Sequence, residues 1–312
     1  MSSTYPKGRI TLREVGLRDG LQMVRTFPST RAKQEWLTRE HAAGVRHFEI
    51  GSFLPPARFP QFADIREIAA LASRLGVFST ALALNERGAG DAIATSVDEI
   101  VVVVSATEEH SQANMRRSRV AAVELLRQTR QMADDAEDPP LVSVGISMAF
   151  GCSIAGNVAP DEVLRIAGDC IEAGADVICL ADTVGYAAPR QVGDLTAKAV
   201  KLCGDALPVA VHLHDTRGLG IANAAASLDA GAQLLDGSLG GLGGCPFAPG
   251  ATGNVVFEDL VFLCERMGFP TGIDIEALCA VREILTAEMP LEPVYGALAR
   301  SGPPRHIAWS AV

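Results

Sequence analysis

The sequence predicts an α/β fold, specifically a (β/α)8 TIM barrel with additional C-terminal helices. Short runs rich in β-branched residues alternate with longer amphipathic segments along nearly the whole chain, as expected when each strand is followed by a helix. No Gly-x-Gly-x-x-Gly follows the first predicted strand, which argues against an open doubly wound sheet with a dinucleotide site. The chain has 312 residues, 48% of them hydrophobic, and barrels of this kind use such a length as one domain.

The predicted strands are short and apolar, and turn residues separate them from the helices. In chain order they cover residues 10–15, 47–50, 77–82, 99–104, 141–146, 177–180, 209–214 and 234–238. The predicted helices include residues 30–43, 62–74, 115–136, 160–173, 189–202 and 218–230. Glycine follows several of these helices at the position where a helix commonly ends, namely at Gly44, Gly76, Gly174 and Gly231.

The C-terminal part of the chain predicts helices rather than strands. Residues 254–289 indicate two more helices, of which the second is expected to cap or flank the barrel. We therefore expect residues 1–312 to form a single barrel domain with a helical extension from about residue 270. The sequence shows neither an internal repeat nor a low-complexity linker.

The composition argues against several classes of protein. A formal net charge of −10 is atypical of nucleic-acid-binding proteins, which carry a basic patch. Seven cysteines without the spacing of a disulfide framework indicate reduced thiols, and the N-terminal residues lack the apolar centre of a signal peptide. No run of 18 apolar residues predicts a membrane span. We expect a cytoplasmic protein that binds neither nucleic acid nor membrane.

Residues capable of chemistry cluster where the predicted strands end, and in a TIM barrel the reactive residues gather at these C-terminal ends. The sequence places Arg18 and Asp19 after the first strand, Glu49 at the end of the second, Asp182 after the sixth, His212 and His214 at the end of the seventh, and Cys245 and Asn254 after the eighth. This coincidence predicts one catalytic cluster rather than a set of separate structural roles.

His212 and His214 are the strongest candidates for a metal site. Residues i and i+2 of a strand project from the same face, so the two Cα atoms are expected roughly 6–7 Å apart. With Asp19 and Asn254 they would form a mixed nitrogen and oxygen shell, which suits Mg²⁺ or Mn²⁺ and could accept Co²⁺. The alternative is a hydrogen-bonded pair of interior histidines without a metal.

A glycine-rich loop surrounds Cys245, since residues 238–254 read SLGGLGGCPFAPGATGN. Glycine lets a backbone approach a ligand closely. A thiol in such a loop is placed to reach a substrate, and a nearby metal and Arg18 would lower the thiol pKa and make it a usable proton donor or acceptor. The alternative is a flexible surface loop with a buried, inert cysteine.

Three motifs in this order resemble the hydroxymethylglutaryl-CoA lyase family, part of a metal-dependent lyase and Claisen-condensation superfamily of TIM barrels. They are Arg-Asp-Gly at 18–20, the histidine pair, and Gly-Gly-Cys-Pro at 243–246, and the resemblance extends from about residue 15 to residue 263. It implies an acyl-CoA substrate and a homodimer. It also implies the following roles: a divalent ion on Asp19, His212, His214 and Asn254, stabilisation of a thioester oxygen by Arg18, and proton transfer by Cys245.

Several other residues are expected to support this site. Glu49 either pairs with Arg18 or transfers a proton, since a buried acid is costly unless it is paired. Asp182 either caps the following turn or, as the resemblance implies, lies in the catalytic site. Three further roles are expected, namely substrate contacts by Gln22 and Ser52 and the orientation of a histidine ring by Asp215.

The function predicted from these features is divalent-metal-dependent retro-Claisen cleavage of 3-hydroxy-3-methylglutaryl-CoA to acetyl-CoA and acetoacetate. Met23 and Val24 replace the usual Asn-Glu of the family, and Ile154 stands where a tyrosine is usual. Because hydrogen-bonding groups discriminate substrates strongly, a lyase for a related branched 3-hydroxyacyl-CoA is the first alternative. A Claisen-condensing synthase, a metal hydrolase and a non-catalytic acyl-CoA-binding barrel are further alternatives.

Overall fold

A closed barrel of eight parallel strands forms the centre of the fold, which confirms the predicted TIM barrel. The computed structural model describes residues 4–6, 8–243 and 253–304. The strands are β1 (Thr11–Glu14), β2 (His47–Ser52), β3 (Phe78–Leu82), β4 (Glu99–Ser105), β5 (Leu141–Ser147), β6 (Val177–Asp182), β7 (Val209–Leu213) and β8 (Leu234–Gly237). Each strand pairs with the next, and β8 closes the barrel by pairing with β1.

Helices connect successive strands and surround the barrel. They are α1 (Thr30–Ala42), α2 (Ile65–Leu75), α3 (Glu86–Ile93), α4 (Glu108–Met115), α5 (Arg119–Asp134), α6 (Pro160–Glu172), α7 (Pro189–Cys203), α8 (Gly220–Asp229) and α9 (Phe257–Arg266). Shorter helices follow, namely α10 (Ile275–Ala280), α11 (Arg282–Glu288) and α12 (Leu298–Ser301). Within the described ranges, every helix is too short or too polar to cross a membrane.

Three helical segments differ from the sequence prediction. Residues 254–289, in which two helices were expected, contain α9, α10 and α11. The predicted helix at 115–136 is two helices, α4 and α5, because Arg116 adopts a left-handed backbone conformation with φ of 53°. Ser118 then begins α5, and its side chain accepts a hydrogen bond from the first turn. Helix α3 lies outside the predicted helices, and the side chain of Asn85, directly before it, accepts a hydrogen bond from Gly88 N. The sequence did not reveal the break between α4 and α5, because Arg116 occupies the position where a glycine usually marks the end of a helix.

The N-terminal segment closes the barrel at the end opposite the predicted catalytic cluster. Tyr5 is buried there among residues near the starts of the strands, including Val177 and Leu234. Its ring packs edge-on against Phe78, with 5.8 Å between ring centroids. The barrel interior is therefore shielded from solvent at this end, and a ligand must enter from the other.

A cluster of buried acids lies behind the first strand. Glu14 at the end of β1, Glu40 on α1 and Glu258 on α9 are all fully buried. Glu258 contacts Arg282 at 2.6 Å, whereas burial raises the pKa of Glu14 to about 8. Burial and the neighbouring charge of Glu14 also raise the pKa of Glu40 well above its ordinary value. The folded protein therefore favours the protonated form of this pair.

We expect the stability of the protein to fall as the pH rises from about 5 to about 9, because the unfolded state releases these two protons near the ordinary glutamate pKa. An acid with a raised pKa stabilises the fold below its unfolded pKa, and this contribution is lost as the pH rises through the folded pKa. Glu40→Gln should flatten the dependence of the melting temperature on pH. The exposed Glu35→Gln on the same helix is the matched control, and an unchanged slope in Glu40→Gln would contradict this account.

Candidate active site

A short π-helical turn, Gly16–Gly20, directs Arg18 and Asp19 into the open end of the barrel. The backbone N–H groups of Arg18, Asp19 and Gly20 all donate to the carbonyl of Val15, at 3.1, 2.8 and 3.2 Å. Three donors on one carbonyl tighten the turn directly after β1. The consecutive side chains of Arg18 and Asp19 consequently lie together at this end of the barrel, and Asp19 lies near the histidines at the end of β7.

Asp19, His212 and His214 converge on one point. The Nε2 atoms of the two histidines lie 3.1 Å apart, and Asp19 Oδ2 lies 3.8 Å from His212 Nε2 and 3.5 Å from His214 Nε2. Each residue offers one potential ligand atom, and these three atoms lie within 4.8 Å of one another. Burial raises the pKa of Asp19, but the charge of Arg18 and contacts with His214 and His212 outweigh it and hold this pKa well below its ordinary value. Asp19 is therefore an anion that faces two imidazole nitrogens.

Asn254 completes this group of potential ligands. Its Nδ2 donates to Asp19 Oδ2 at 2.8 Å and to the carbonyl of Leu242 at 3.1 Å. Its Oδ1 is buried and has no hydrogen-bond partner among the described residues. A backbone bridge to His214 holds Asn254 beside the histidines. An orphaned carbonyl oxygen next to an anion and two imidazoles fits a cation with nitrogen and oxygen ligands.

The electrostatics of the interior also fit a divalent cation. Arg18 contacts Asp19 and Glu49, and Arg13 contacts Glu99 and Asp236. The two guanidinium groups and four carboxylates of these ion pairs carry a formal charge of −2. A buried charge is costly unless it is compensated, and one divalent cation would neutralise this network.

Glu49 forms the predicted pair with Arg18, whose Nε lies 2.7 Å from Glu49 Oε1. Glu49 lies in the middle of β2 rather than at its end, because the strand continues to Ser52. Burial raises the pKa of Glu49, and the charges of Arg18 and Arg13 oppose this rise. The pair fixes the guanidinium, which also donates to Asp19 and to Gln22 Oε1.

The remaining predicted residues have different surroundings in the structure. Asp182 is the last residue of β6, and its carboxylate caps the following turn through Tyr186 N and Ala187 N. Ser52 is buried, and its hydroxyl has no hydrogen-bond partner among the described residues. Asp215 accepts a hydrogen bond from Gly220 N at the start of α8. Cys245 lies outside the described residues.

Asp236 is the acid hydrogen-bonded to His212, and the sequence analysis did not select it. Its Oδ2 lies 3.1 Å from His212 Nδ1, and both carboxylate oxygens accept hydrogen bonds from Arg13. Burial raises the pKa of Asp236, but Arg13 and His212 outweigh this effect and lower it to about 2. The sequence feature that could have indicated Asp236 is its charge within the short apolar strand β8. Asp215, which was predicted to orient a histidine ring, accepts a hydrogen bond at the start of α8.

Gly253 supports Asn254 by a backbone conformation with φ of +100°. A Cβ at this position would overlap the carbonyl oxygens of Gly241 and Gly243. We expect Gly253→Ala to lower the free energy of unfolding by about 1–3 kcal/mol or more, since strain and overlap add. It should also weaken Mn²⁺ binding, measured by calorimetry, because Asn254 is displaced.

Gly268→Ala is the matched control for this prediction. Gly268 has a similar φ of +85°, but a Cβ there would meet nothing within 4 Å. Gly268→Ala should lower the free energy of unfolding through backbone strain alone, and it should leave Mn²⁺ binding unchanged. Equal Mn²⁺ affinities of the two variants would argue against a role of the Gly253 backbone in placing Asn254.

Comparison with known proteins identifies the family. Residues 9–285 match the model of the HMGL-like family. The chain belongs to this family. Hydroxymethylglutaryl-CoA lyase YngG of Bacillus subtilis is 35% identical over 287 residues, which cover 91% of this chain and 94% of that protein. The chain is thus a carbon–carbon lyase of the HMGL-like family.

Two other relatives extend this comparison. The (R)-citramalyl-CoA lyase of Chloroflexus aurantiacus is 38% identical over 305 residues, which cover 94% of this chain and 95% of that protein. The structure of an HMG-CoA lyase from Acinetobacter baumannii in complex with coenzyme A and 3-methylmalate matches with a TM-score of 0.86 and 31% identity. That match covers 99% of each chain. The similarity of this HMGL-like lyase to its relatives therefore extends over nearly its whole length.

Proposed function

We propose that this protein cleaves 3-hydroxy-3-methylglutaryl-CoA to acetyl-CoA and acetoacetate in a reaction that depends on a divalent metal ion. The convergence of Asp19, His212 and His214 beside Arg18 carries this proposal. An anionic group and a guanidinium thus lie side by side, and a retro-Claisen cleavage needs both. The similarity to hydroxymethylglutaryl-CoA lyases over most of the chain supports this choice of substrate.

Asp19, His212, His214 and Asn254 would hold the ion. Their oxygen and nitrogen donors suit Mg²⁺ or Mn²⁺, and Co²⁺ is compatible with the imidazoles. When bound, the ion would supply Lewis-acid chemistry that lowers the pKa of the tertiary hydroxyl of the substrate. The protein itself supplies an anionic, buried setting, in which the ligand groups are held by hydrogen bonds before substrate arrives.

The cleavage requires a base, and His212, Asp19 and Glu49 are the candidates. Removal of the proton from the C3 hydroxyl allows its oxygen to become the ketone of acetoacetate as the C2–C3 bond breaks. The electron pair of that bond passes to the thioester as an enolate. Arg18 is oriented by Glu49 and Asp19, and it would stabilise the negative oxygen of that enolate with its planar donors.

Cys245 would deliver the proton that converts the enolate to acetyl-CoA. The described ends of its loop support this role, because Gly243 and Gly253 lie against each other next to Asn254 and Asp19. Cys245 follows Gly243 by two positions in the sequence, so we expect its thiol to reach the ligand cluster. Closure of residues 240–250 over the substrate would exclude bulk water.

Cleavage of citramalyl-CoA is the second candidate function. It is favoured by the 38% identity to an (R)-citramalyl-CoA lyase and by Ile154 in place of the usual tyrosine. Both substrates carry a tertiary hydroxyl at C3 of a CoA thioester, so the same residues would act on either. The difference lies in the ketone product, which is pyruvate from citramalyl-CoA and acetoacetate from 3-hydroxy-3-methylglutaryl-CoA.

Product analysis by mass spectrometry tests the proposal. Purified protein with Mg²⁺ should convert 3-hydroxy-3-methylglutaryl-CoA to acetyl-CoA and acetoacetate. Cys245→Ala should slow this reaction by about 10²–10⁴-fold, as expected when a proton donor is lost. The control Cys279→Ala removes a half-buried thiol on α10 and should leave the rate unchanged. Cleavage of citramalyl-CoA alone, by a folded protein that binds Mn²⁺, would replace the first candidate by the second.

A further inference from the structure

A continuous line of hydrogen bonds runs through the barrel interior from Tyr5 to His212, and we call it the axial network. The hydroxyl of Tyr5 donates to Glu99 Oε2 at 2.5 Å, and Arg13 Nη1 donates to Glu99 Oε1 at 3.0 Å. Arg13 Nε and Nη2 then donate to the two oxygens of Asp236 at 2.9 and 3.1 Å. Asp236 Oδ2 contacts His212 Nδ1 at 3.1 Å.

The axial network is buried along its whole length. Tyr5, Arg13, Asp236 and Glu99 expose 5% or less of their surface. Ser143 on β5 adds a further donor to Glu99 Oε1 at 2.7 Å. These hydrogen bonds satisfy both carboxylates on both oxygens, so each acid has a fixed orientation rather than a choice of rotamers.

Stability alone does not explain such a network. TIM-barrel interiors are dominated by branched apolar residues, and a buried ion pair is often no more stabilising than the apolar residues it replaces. The network is distinguished by its end point, because its last carboxylate contacts the ring nitrogen of His212 that faces away from Asp19 and His214. A fixed acceptor at Nδ1 determines which tautomer the imidazole adopts.

We propose that Arg13 is a positioning residue for His212. Its Nε and Nη2 groups hold both oxygens of the Asp236 carboxylate, so that Oδ2 can accept the Nδ1–H of the imidazole. The Nε2 lone pair then points to His214 Nε2 and Asp19, where a cation would bind. Glu99 accepts from Arg13 Nη1 and is itself held by Tyr5, so a residue that closes one end of the barrel supports a potential ligand at the other. This inference rests on the proposed metal site.

The first test reads the histidine tautomer in the metal-free protein. Nitrogen-15 spectra of histidine-labelled protein at mildly alkaline pH distinguish Nδ1–H from Nε2–H imidazoles, and His212→Gln identifies the His212 signals. Wild-type protein should show the Nδ1–H form alone. Arg13→Met should show a mixture of tautomers, because the Asp236 carboxylate is no longer held. A pure Nδ1–H form in a folded Arg13→Met variant would overturn the proposal.

The second test measures Mn²⁺ affinity by calorimetry. The affinity of Arg13→Met should fall by about tenfold or more, the range seen when a group behind a metal ligand is removed. Arg13→Lys keeps the charge but cannot donate to both Asp236 oxygens as the guanidinium does, so it should also lose Mn²⁺ affinity. This variant tests the proposal if Arg13→Met does not fold. Tyr5→Phe removes one remote hydroxyl and should cause a smaller loss. Unchanged affinity in both Arg13 variants would overturn the proposal.

A matched control separates positioning from general destabilisation. Arg130 contacts Asp176 at 2.7 Å and is half-buried on α5, outside the cavity. Arg130→Met should lower the melting temperature without changing the Mn²⁺ affinity or the His212 spectrum. If wild-type protein binds no Mn²⁺, the proposed metal site fails, whereas the tautomer spectra still decide the role of Arg13.

Discussion

Asp19→Asn is expected to abolish Mn²⁺ binding at micromolar concentrations and to reduce cleavage by about 10³-fold or more, because a bound metal contributes several kcal/mol to such reactions. Asp19 is the only carboxylate among the four potential ligands, and it is held as an anion by Arg18. Its amide would keep the shape of the side chain and remove the charge. Calorimetry with Mn²⁺ and a coupled assay for acetyl-CoA measure the two effects.

Asp176→Asn is the control for this substitution, since it neutralises a carboxylate in an ion pair outside the cavity. It should leave both metal binding and cleavage unchanged. Asp19→Asn should fold, because its amide oxygen can still accept from Arg18 Nη1 or from Asn254 Nδ2, which contact different oxygens of the Asp19 carboxylate. Mn²⁺ binding of wild-type strength in Asp19→Asn would show that the cation site lies elsewhere.

Arg18→Met should lower kcat by about 10²–10³-fold or more, the loss typical of removing one donor to a developing oxyanion. The KM should change less, because the expected interaction strengthens only as the enolate forms. Arg18→Lys should recover part of the rate, since it restores the charge but cannot contact Glu49, Asp19 and Gln22 together as the guanidinium does.

Arg66→Met provides the comparison for Arg18, because Arg66 forms an exposed ion pair with Asp91 on the outer helices. Its replacement should not alter kcat. A fall in kcat/KM of Arg18→Met that arises from KM alone would assign Arg18 to ground-state binding of the thioester, and it would argue against stabilisation of the enolate.

The sequence was sufficient to predict the architecture and the convergence of Asp19, His212 and His214. Alternation of strand and helix patterns predicted the eight strands, whose observed ends differ from the predicted ends by at most two residues. The i, i+2 spacing of His212 and His214 placed both rings on one face, and the position of Asp19 after β1 placed it opposite them. These predictions depend on local periodicity and on the rule that parallel strands end together.

The axial network could not be predicted from local pattern. Arg13 and Asp236 are separated by 223 positions, and Arg13 and Glu99 by 86, so only the closure of the barrel reveals them as partners. In the sequence each is a single charge in a short apolar strand. The burial of Glu14 beside Glu40 could not be predicted from local pattern either, because it depends on how α1 packs behind β1.

The ligand cluster lies across the seam at which the barrel closes. Asp19 follows the first strand, the histidines lie at the end of the seventh, and Asn254 follows the eighth, 235 positions after Asp19. A growing chain therefore has no complete cluster until its last strand has been synthesised and has docked between β7 and β1. Binding of a cation at the proposed site would thus be a late event in the biosynthesis of this protein, and a fragment that ends before β8 would lack Asn254.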